Sequence, residues 1–169
     1  MNPPVPAFIG IGANLGDPVA QVFDAVSRLG RDLPGTRLCG RSRLYRNPPM
    51  GPKDQPDYVN AVARLETRLE PRTLLHRLQG IEVACGRRRD GTRWGPRRLD
   101  LDLLLFGGEV IDEPGLRVPH PGIAERDFVL FPLLELAPGL VIPGHGTLAA
   151  LCRGMPGTAL QAIAEEARA

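Results

Sequence analysis

Arg97-Arg98-Leu99-Asp100-Leu101-Asp102-Leu103-Leu104-Leu105-Phe106, led in by Trp94-Gly95-Pro96, sets two carboxylates two positions apart inside an apolar run. Successive side chains of a strand alternate between faces. Asp100 and Asp102 therefore share one face, and Leu99, Leu101, Leu103 and Leu105 the other. Their Cα atoms would lie roughly 6.5–7 Å apart along the strand. The leucines on either side predict a central strand, with Leu104 making the acidic face partly apolar as well. Two like charges so close to a core repel unless a cation or donors offset them. Just upstream stand Arg87, Arg88, Arg89, Arg93, Arg97 and Arg98. Carboxylates for a divalent metal beside guanidinium groups for phosphate oxygens are what transfer of a phosphate group from a nucleotide requires.

Upstream of the arginine loop, Pro71 can open a helix with Leu74, Leu78, Ile81 and Cys85 on one stripe and Gly86 as its stop. Before it, Tyr58 to Leu69 reads as a strand, with Tyr58, Asn60 and Val62 on one face and Val59, Ala61 and Ala63 on the other. Asn47-Pro48-Pro49-Met50-Gly51-Pro52 is a loop, because three prolines forbid regular pairing. Thr36 to Tyr45 reads as a strand. A helix capped by Asp17, with Pro18 in its first turn, carries Val19, Val22, Phe23, Val26 and Leu29 and is expected to end at Gly30. Phe8-Ile9-Gly10-Ile11-Gly12 forms the first strand, after a flexible arm over residues 1–6. Downstream, Gly107-Gly108 turns the chain into a short pairing of Glu109–Ile111 with Leu116–Val118. Phe128 to Leu136 forms a short helix, and one or two small helices follow from Thr147. The order β-α-β-β-α-β is the ferredoxin-like arrangement: an α+β sandwich, mainly antiparallel, with helices packed on the sheet and a small C-terminal helical extension.

The 169 residues suffice for one domain with a real core. A net charge of +2 is too small for a general nucleic-acid or membrane binder. Cys39, Cys85 and Cys152 are odd in number and widely spaced, against a disulfide framework or a zinc site. No signal peptide or membrane-length apolar run is visible, so a cytoplasmic protein is expected.

Gly10, Gly12 and Gly16 are spaced one residue too long for a dinucleotide fingerprint, and no phosphate-binding Walker sequence occurs. A tight strand-to-helix turn explains them better. Hard oxygen ligands without Cys or His clustering favour Mg²⁺ at Asp100 and Asp102 over softer metals. The arginine loop reads as a lid over polyphosphate; an RNA-binding patch stacking on Trp94 is the rival reading, resting on a single aromatic. Alone, His120 in Val118-Pro119-His120-Pro121 reads as structural, and Gln79 and Glu82 as an ordinary polar helix face.

Taken together, three blocks resemble the 6-hydroxymethyl-7,8-dihydropterin pyrophosphokinase family of folate biosynthesis. They are Arg93-Trp94-Gly95-Pro96-Arg97-Arg98-Leu99-Asp100-Leu101-Asp102; Asn47 through Ala61; and Val118-Pro119-His120 followed by Glu125-Arg126-Asp127-Phe128. The resemblance runs from Ile9 to about Pro143. It implies a single pyrophosphokinase domain over 1–169, a monomer, moving the pyrophosphoryl group of ATP to the hydroxymethyl oxygen of a reduced pterin and releasing AMP. It implies two Mg²⁺ ions on Asp100 and Asp102, with Arg87 and Arg97 as catalytic arginines. Gln79, Glu82, Arg89, Arg93, Leu103, His120 and Arg126 match positions around the nucleotide. Asn47, Pro48, Met50, Gly51, Tyr58, Asn60 and Phe128 match the pterin pocket, and Trp94 lies near both. The flat faces of Tyr58 and Phe128 suit a planar heterocycle, and the Asn60 amide suits its donor–acceptor edge. The chain departs from the family at Asn47, where threonine is common, and at Pro121, where tyrosine is common. A different Mg²⁺-dependent nucleotidyl or phosphoryl transferase remains the alternative of nearest chemistry.

Overall fold

A computed structural model describes residues 2–48, 56–86, 99–156 and 160–165. The first strand, β1 (Val5–Ala13), leads through a turn at Gly16 (φ 73°) into α1 (Pro18–Arg31). Asp17 caps α1 by accepting from the Ala20 N–H at 3.2 Å. The helix runs past Gly30, the expected stop. A Cβ there would reach the Leu38 side chain at 3.4 Å, an ordinary van der Waals contact, so helix and sheet meet at this point.

The predicted strand from Thr36 to Tyr45 divides into β2 (Thr36–Arg41) and β3 (Tyr45–Asn47). Both lie along the long β4 (Tyr58–Thr67). Ser42 explains the break. Its N–H donates to Val62 O at 2.8 Å and its Oγ accepts from Val62 N–H at 2.9 Å, so a hydroxyl replaces one rung of the ladder where the chain kinks.

After α2 (Pro71–Ala84) comes the acidic strand, β5 (Asp100–Phe106), then a hairpin of β6 (Ile111–Glu113) and β7 (Leu116–Val118). Next come α3 (Asp127–Leu136), a ribbon of β8 (Val141–Ile142) and β9 (Gly146–Thr147), α4 (Leu148–Arg153) and β10 (Gln161–Ala162). The tail thus holds one small helix and strands that the sequence pattern does not announce.

The main sheet runs β10-β3-β4-β1-β5, with β2 also on β4, and every pairing is antiparallel. The order β2-β4-β1-β5 is the ferredoxin-like arrangement. One face buries Ile9, Ile11, Val59, Ala61, Leu101 and Leu103 against Val22, Leu29, Leu74 and Leu78 of α1 and α2. The other buries Phe8, Val62 and Leu104 against Leu130, Leu133 and Leu148 of α3 and α4. The extension therefore forms a third layer.

Three expectations change. Among the described residues β5 is an edge strand, not a central one. Its leucines are buried because helices cover both faces. Leu105 does not share a face with Leu103: Phe8 pairs with Leu105 and Ile9 with Leu103, so Leu104 is an extra, bulged residue and the alternation flips. Leu104 and Leu105 both join the α3/α4 side. Finally, Val5 and Pro6 of the expected arm are paired, opposite Thr67 and Glu66, and Asn2 bonds Arg68 O and Glu70.

Candidate active site

β5 sets Asp100 and Asp102 half-buried on one face, and register places Gly12 and Gly10 of β1 directly opposite them. Two missing side chains leave the floor of a cavity of about 490 Å³. Its walls come from four directions: Tyr58 and Asn60 of β4 with Asn47 of β3; Leu75, Gln79 and Glu82 of α2; the His120–Gly122 turn; and Arg126, Phe128 and Val129 at the start of α3.

The amide wall is tightly set. Asn47 and Asn60 are each 6% exposed, and the Asn60 amide donates to the Asn47 side-chain oxygen. The Asn47 amide in turn donates to Pro48 O at 3.2 Å. Asn60 lies flat against β1: a Cβ on Gly12 would sit 2.7 Å from Asn60 Oδ1, so only glycine fits there. The Arg126 guanidinium lies 5.8 Å from the centre of the Phe128 ring.

Glu82 is 2% exposed, and its Oε2 accepts the Leu101 N–H at 2.8 Å. Leu101 stands between the two aspartates on a strand edge. Its N–H faces away from β1, so α2 supplies the acceptor that a further strand would have given.

His120 follows the cis Val118–Pro119 bond. Its backbone N–H donates to Leu104 O at 3.0 Å, which fastens the turn to the same strand edge. The Gly122 N–H donates to His120 Nδ1 at 3.1 Å, so the neutral ring carries its proton on Nε2, 4.0 Å from Asp102 Oδ1. Burial, reinforced by the Arg126 charge and opposed by Asp100, pushes the imidazole down to about 4. The unfolded chain takes up this proton near pH 6.5, whereas the folded one resists until about 4. Stability should therefore fall as pH drops through that window, with no loss at neutral pH. An NMR titration of His120 is expected to give a midpoint near 4; a midpoint near 6.5 would put the ring in open water.

The structure thus brings Asp100, Asp102, Gln79, Glu82, His120, Arg126, Asn47, Tyr58, Asn60 and Phe128 around one cavity. Leu103 does not turn its side chain to the cavity: it is 5% exposed and packs in the α1/α2 core, as strand alternation dictates. Pro48 is exposed beside Asn47. Arg87, Arg89, Arg93, Trp94, Arg97, Met50 and Gly51 lie outside the described residues. The sequence reading missed Leu75, Val129 and the floor made by Gly10 and Gly12. Only the pairing register, which no local pattern encodes, could have found that floor.

Among the described residues no three His, Cys, Asp or Glu side chains gather as a metal cage. A pair of carboxylates facing an open cavity still fits Mg²⁺, which keeps waters and takes substrate phosphates as its remaining ligands.

Residues 8–138 match the family described as 7,8-dihydro-6-hydroxymethylpterin-pyrophosphokinase (HPPK). A Pseudomonas aeruginosa protein named 2-amino-4-hydroxy-6-hydroxymethyldihydropteridine pyrophosphokinase is 48% identical over 149 residues, covering 88% of this chain and 91% of that one. A Haemophilus influenzae protein of the same name is 45% identical, covering 88% and 92%. Among solved structures, wild-type Plasmodium falciparum HPPK-DHPS with pteroate aligns with a TM-score of 0.70 at 12% identity. That alignment covers 90% of this chain but 42% of the other, so this chain spans less than half of it and the likeness speaks for the fold alone.

Proposed function

The chain belongs to the 7,8-dihydro-6-hydroxymethylpterin-pyrophosphokinase family, and from that premise we propose that its cavity passes the pyrophosphoryl group of ATP to the hydroxymethyl oxygen of 6-hydroxymethyl-7,8-dihydropterin and releases AMP. The observation that carries this reading is the joining of two unlike walls in one cavity: the Asp100–Asp102 pair on β5, and the Tyr58, Asn60 and Phe128 surface across the glycine floor. One wall suits a metal–polyphosphate, the other a flat ring with an amide edge.

Asp100 and Asp102 would hold magnesium, two ions in this proposal, which when bound neutralises charge on the phosphate oxygens. The chain's own groups do the rest. Asn60, braced by Asn47, offers amide donor and acceptor to the pterin edge, while Tyr58 and Phe128 supply faces for the ring. In this proposal Pro48, Met50, Gly51 and Trp94 would serve the pterin as well, Trp94 also serving the nucleotide. Gln79, Glu82, Arg89, Arg93, Leu103 and Arg126 take the nucleotide side, with Leu103 limited to its backbone. A neutral His120 with its proton on Nε2 can donate toward an anionic oxygen without adding positive charge. Arg87 and Arg97 would meet the charge of the transferring group with their forked donors. Such a transfer depends on positioning and charge stabilisation, so no protein nucleophile is needed. The proposal takes residues 1–169 as one domain, acting as a cytoplasmic monomer. No described helix is long and apolar enough to cross a membrane.

Incubation with ATP, Mg²⁺ and the pterin alcohol should yield AMP and the pterin diphosphate, read by chromatography. ADP as the sole nucleotide product would reject pyrophosphoryl transfer and favour a different transferase.

A further inference from the structure

The C-terminal segment Leu160–Glu165 lies beyond the residues matched by the family, yet it is tied into the sheet at several points. β10 pairs antiparallel with β3, Gln161 opposite Arg46 and Ala162 opposite Tyr45. One residue further, the Ile163 N–H donates to Leu44 O at 2.8 Å, and its side chain packs against the α1/α2 core. Beyond that, Glu165 accepts a forked pair of bonds from Arg41 at 2.9 and 3.1 Å. The Arg41 guanidinium is itself held 5.0 Å from the centre of the Phe23 ring.

This segment covers a strand of only three residues. A strand so short has few rungs of its own, and β4 supplies one side only. The last residue of β3 is Asn47, which braces Asn60 in the cavity. Its first is Tyr45, whose hydroxyl donates to Glu135 of α3 at 2.5 Å. Glu135 also accepts from the Arg43 N–H and guanidinium. Burial raises the Glu135 carboxyl, but these three partners outweigh it and hold the group below its usual range. The other end of α3 carries Phe128. β3 is therefore joined to both parts of the amide and aromatic wall. Asp100, Asp102 and His120 lie along β5, at the opposite edge of the sheet and separated from β3 by β4 and β1.

We infer that Leu160–Glu165 is a positioning strap for the pterin side of the cavity: by completing β3 it sets Asn47, and through Asn47 the Asn60 amide. The strap touches no substrate. It rests on the pterin assignment of that wall, and its effect is one-sided because of the strand order. General loosening of the fold would weaken both substrates alike.

The test compares the full chain with a chain ending at Ala159 and with Ile163→Pro, which removes the N–H bonded to Leu44 O. KM is measured for the pterin alcohol at saturating MgATP, and for MgATP at saturating pterin. Both variants should raise the pterin KM by about five- to tenfold, within the range of coupling between groups in contact, and leave the ATP KM within about twofold. If the shortened chain does not fold, Ile163→Pro decides alone. An unchanged pterin KM, or equal rises for both substrates, overturns the strap. No AMP from the full chain overturns the functional reading instead.

Discussion

Asp100→Ala and Asp102→Ala are each expected to cut turnover by about two to three orders of magnitude, the loss seen when one preorganised electrostatic contact to developing charge is removed. Stability should barely move. Both side chains are half-buried at the cavity wall and contribute no core packing. Removing one of two neighbouring like charges also relieves repulsion, so any shift should stay within about 0.5 kcal/mol. Two measurements separate the cases: steady-state turnover with MgATP and the pterin alcohol, and a thermal melt. Unchanged turnover in either variant would remove the metal role. A collapse of the melting transition would instead recast the pair as structural.

Glu82→Ala should be the most damaging change outside the acidic pair, by a different route. Glu82 is 2% exposed, and its Oε2 accepts the Leu101 N–H between the two aspartates. Without it, the Leu101 N–H sits buried on a strand edge with no acceptor, costing about 1–3 kcal/mol. The same change frees the short stretch that fixes where both carboxylates stand, so turnover should fall together with stability. Glu82→Gln keeps an oxygen in place and should recover most of the stability. Hydrogen exchange at the Leu101 amide reads the bond directly. Equal protection in the alanine variant and the parent would show that the clamp does not hold the strand.

Where a local rule governs, the sequence was a good guide. Period-two alternation puts Val59, Ala61 and Ala63 in one core, and Val62 in the other with Tyr58 and Asn60 at the cavity, as the structure has them. Asp17, Pro18 and Pro71 mark helix starts for reasons confined to one turn of chain. The errors share a cause. β5 looked central because leucine records burial and says nothing of neighbours; α3 and α4, from distant sequence, cover the face that would otherwise meet water. The bulge at Leu104 and the division at Ser42 depend on pairing register, which is set by partners rather than by the strand itself. The site follows the same division. Asp100 and Asp102 stand out by chemistry alone. His120, Gln79 and Glu82 carry no signal in isolation and entered through the family resemblance; folding draws them to the same cavity.

The bare floor beneath the cavity bears on inhibitor design. Any side chain at Gly12 would run into Asn60 Oδ1 at 2.7 Å, whereas a methyl at Gly10 would only reach van der Waals contact with Leu104 at 3.4 Å. A ring lying on that floor would therefore touch backbone at Gly12 that a substitution cannot reshape without also disturbing Asn60, to which the proposal gives the pterin edge. The rim, where Pro121 is exposed to solvent, offers more room for change.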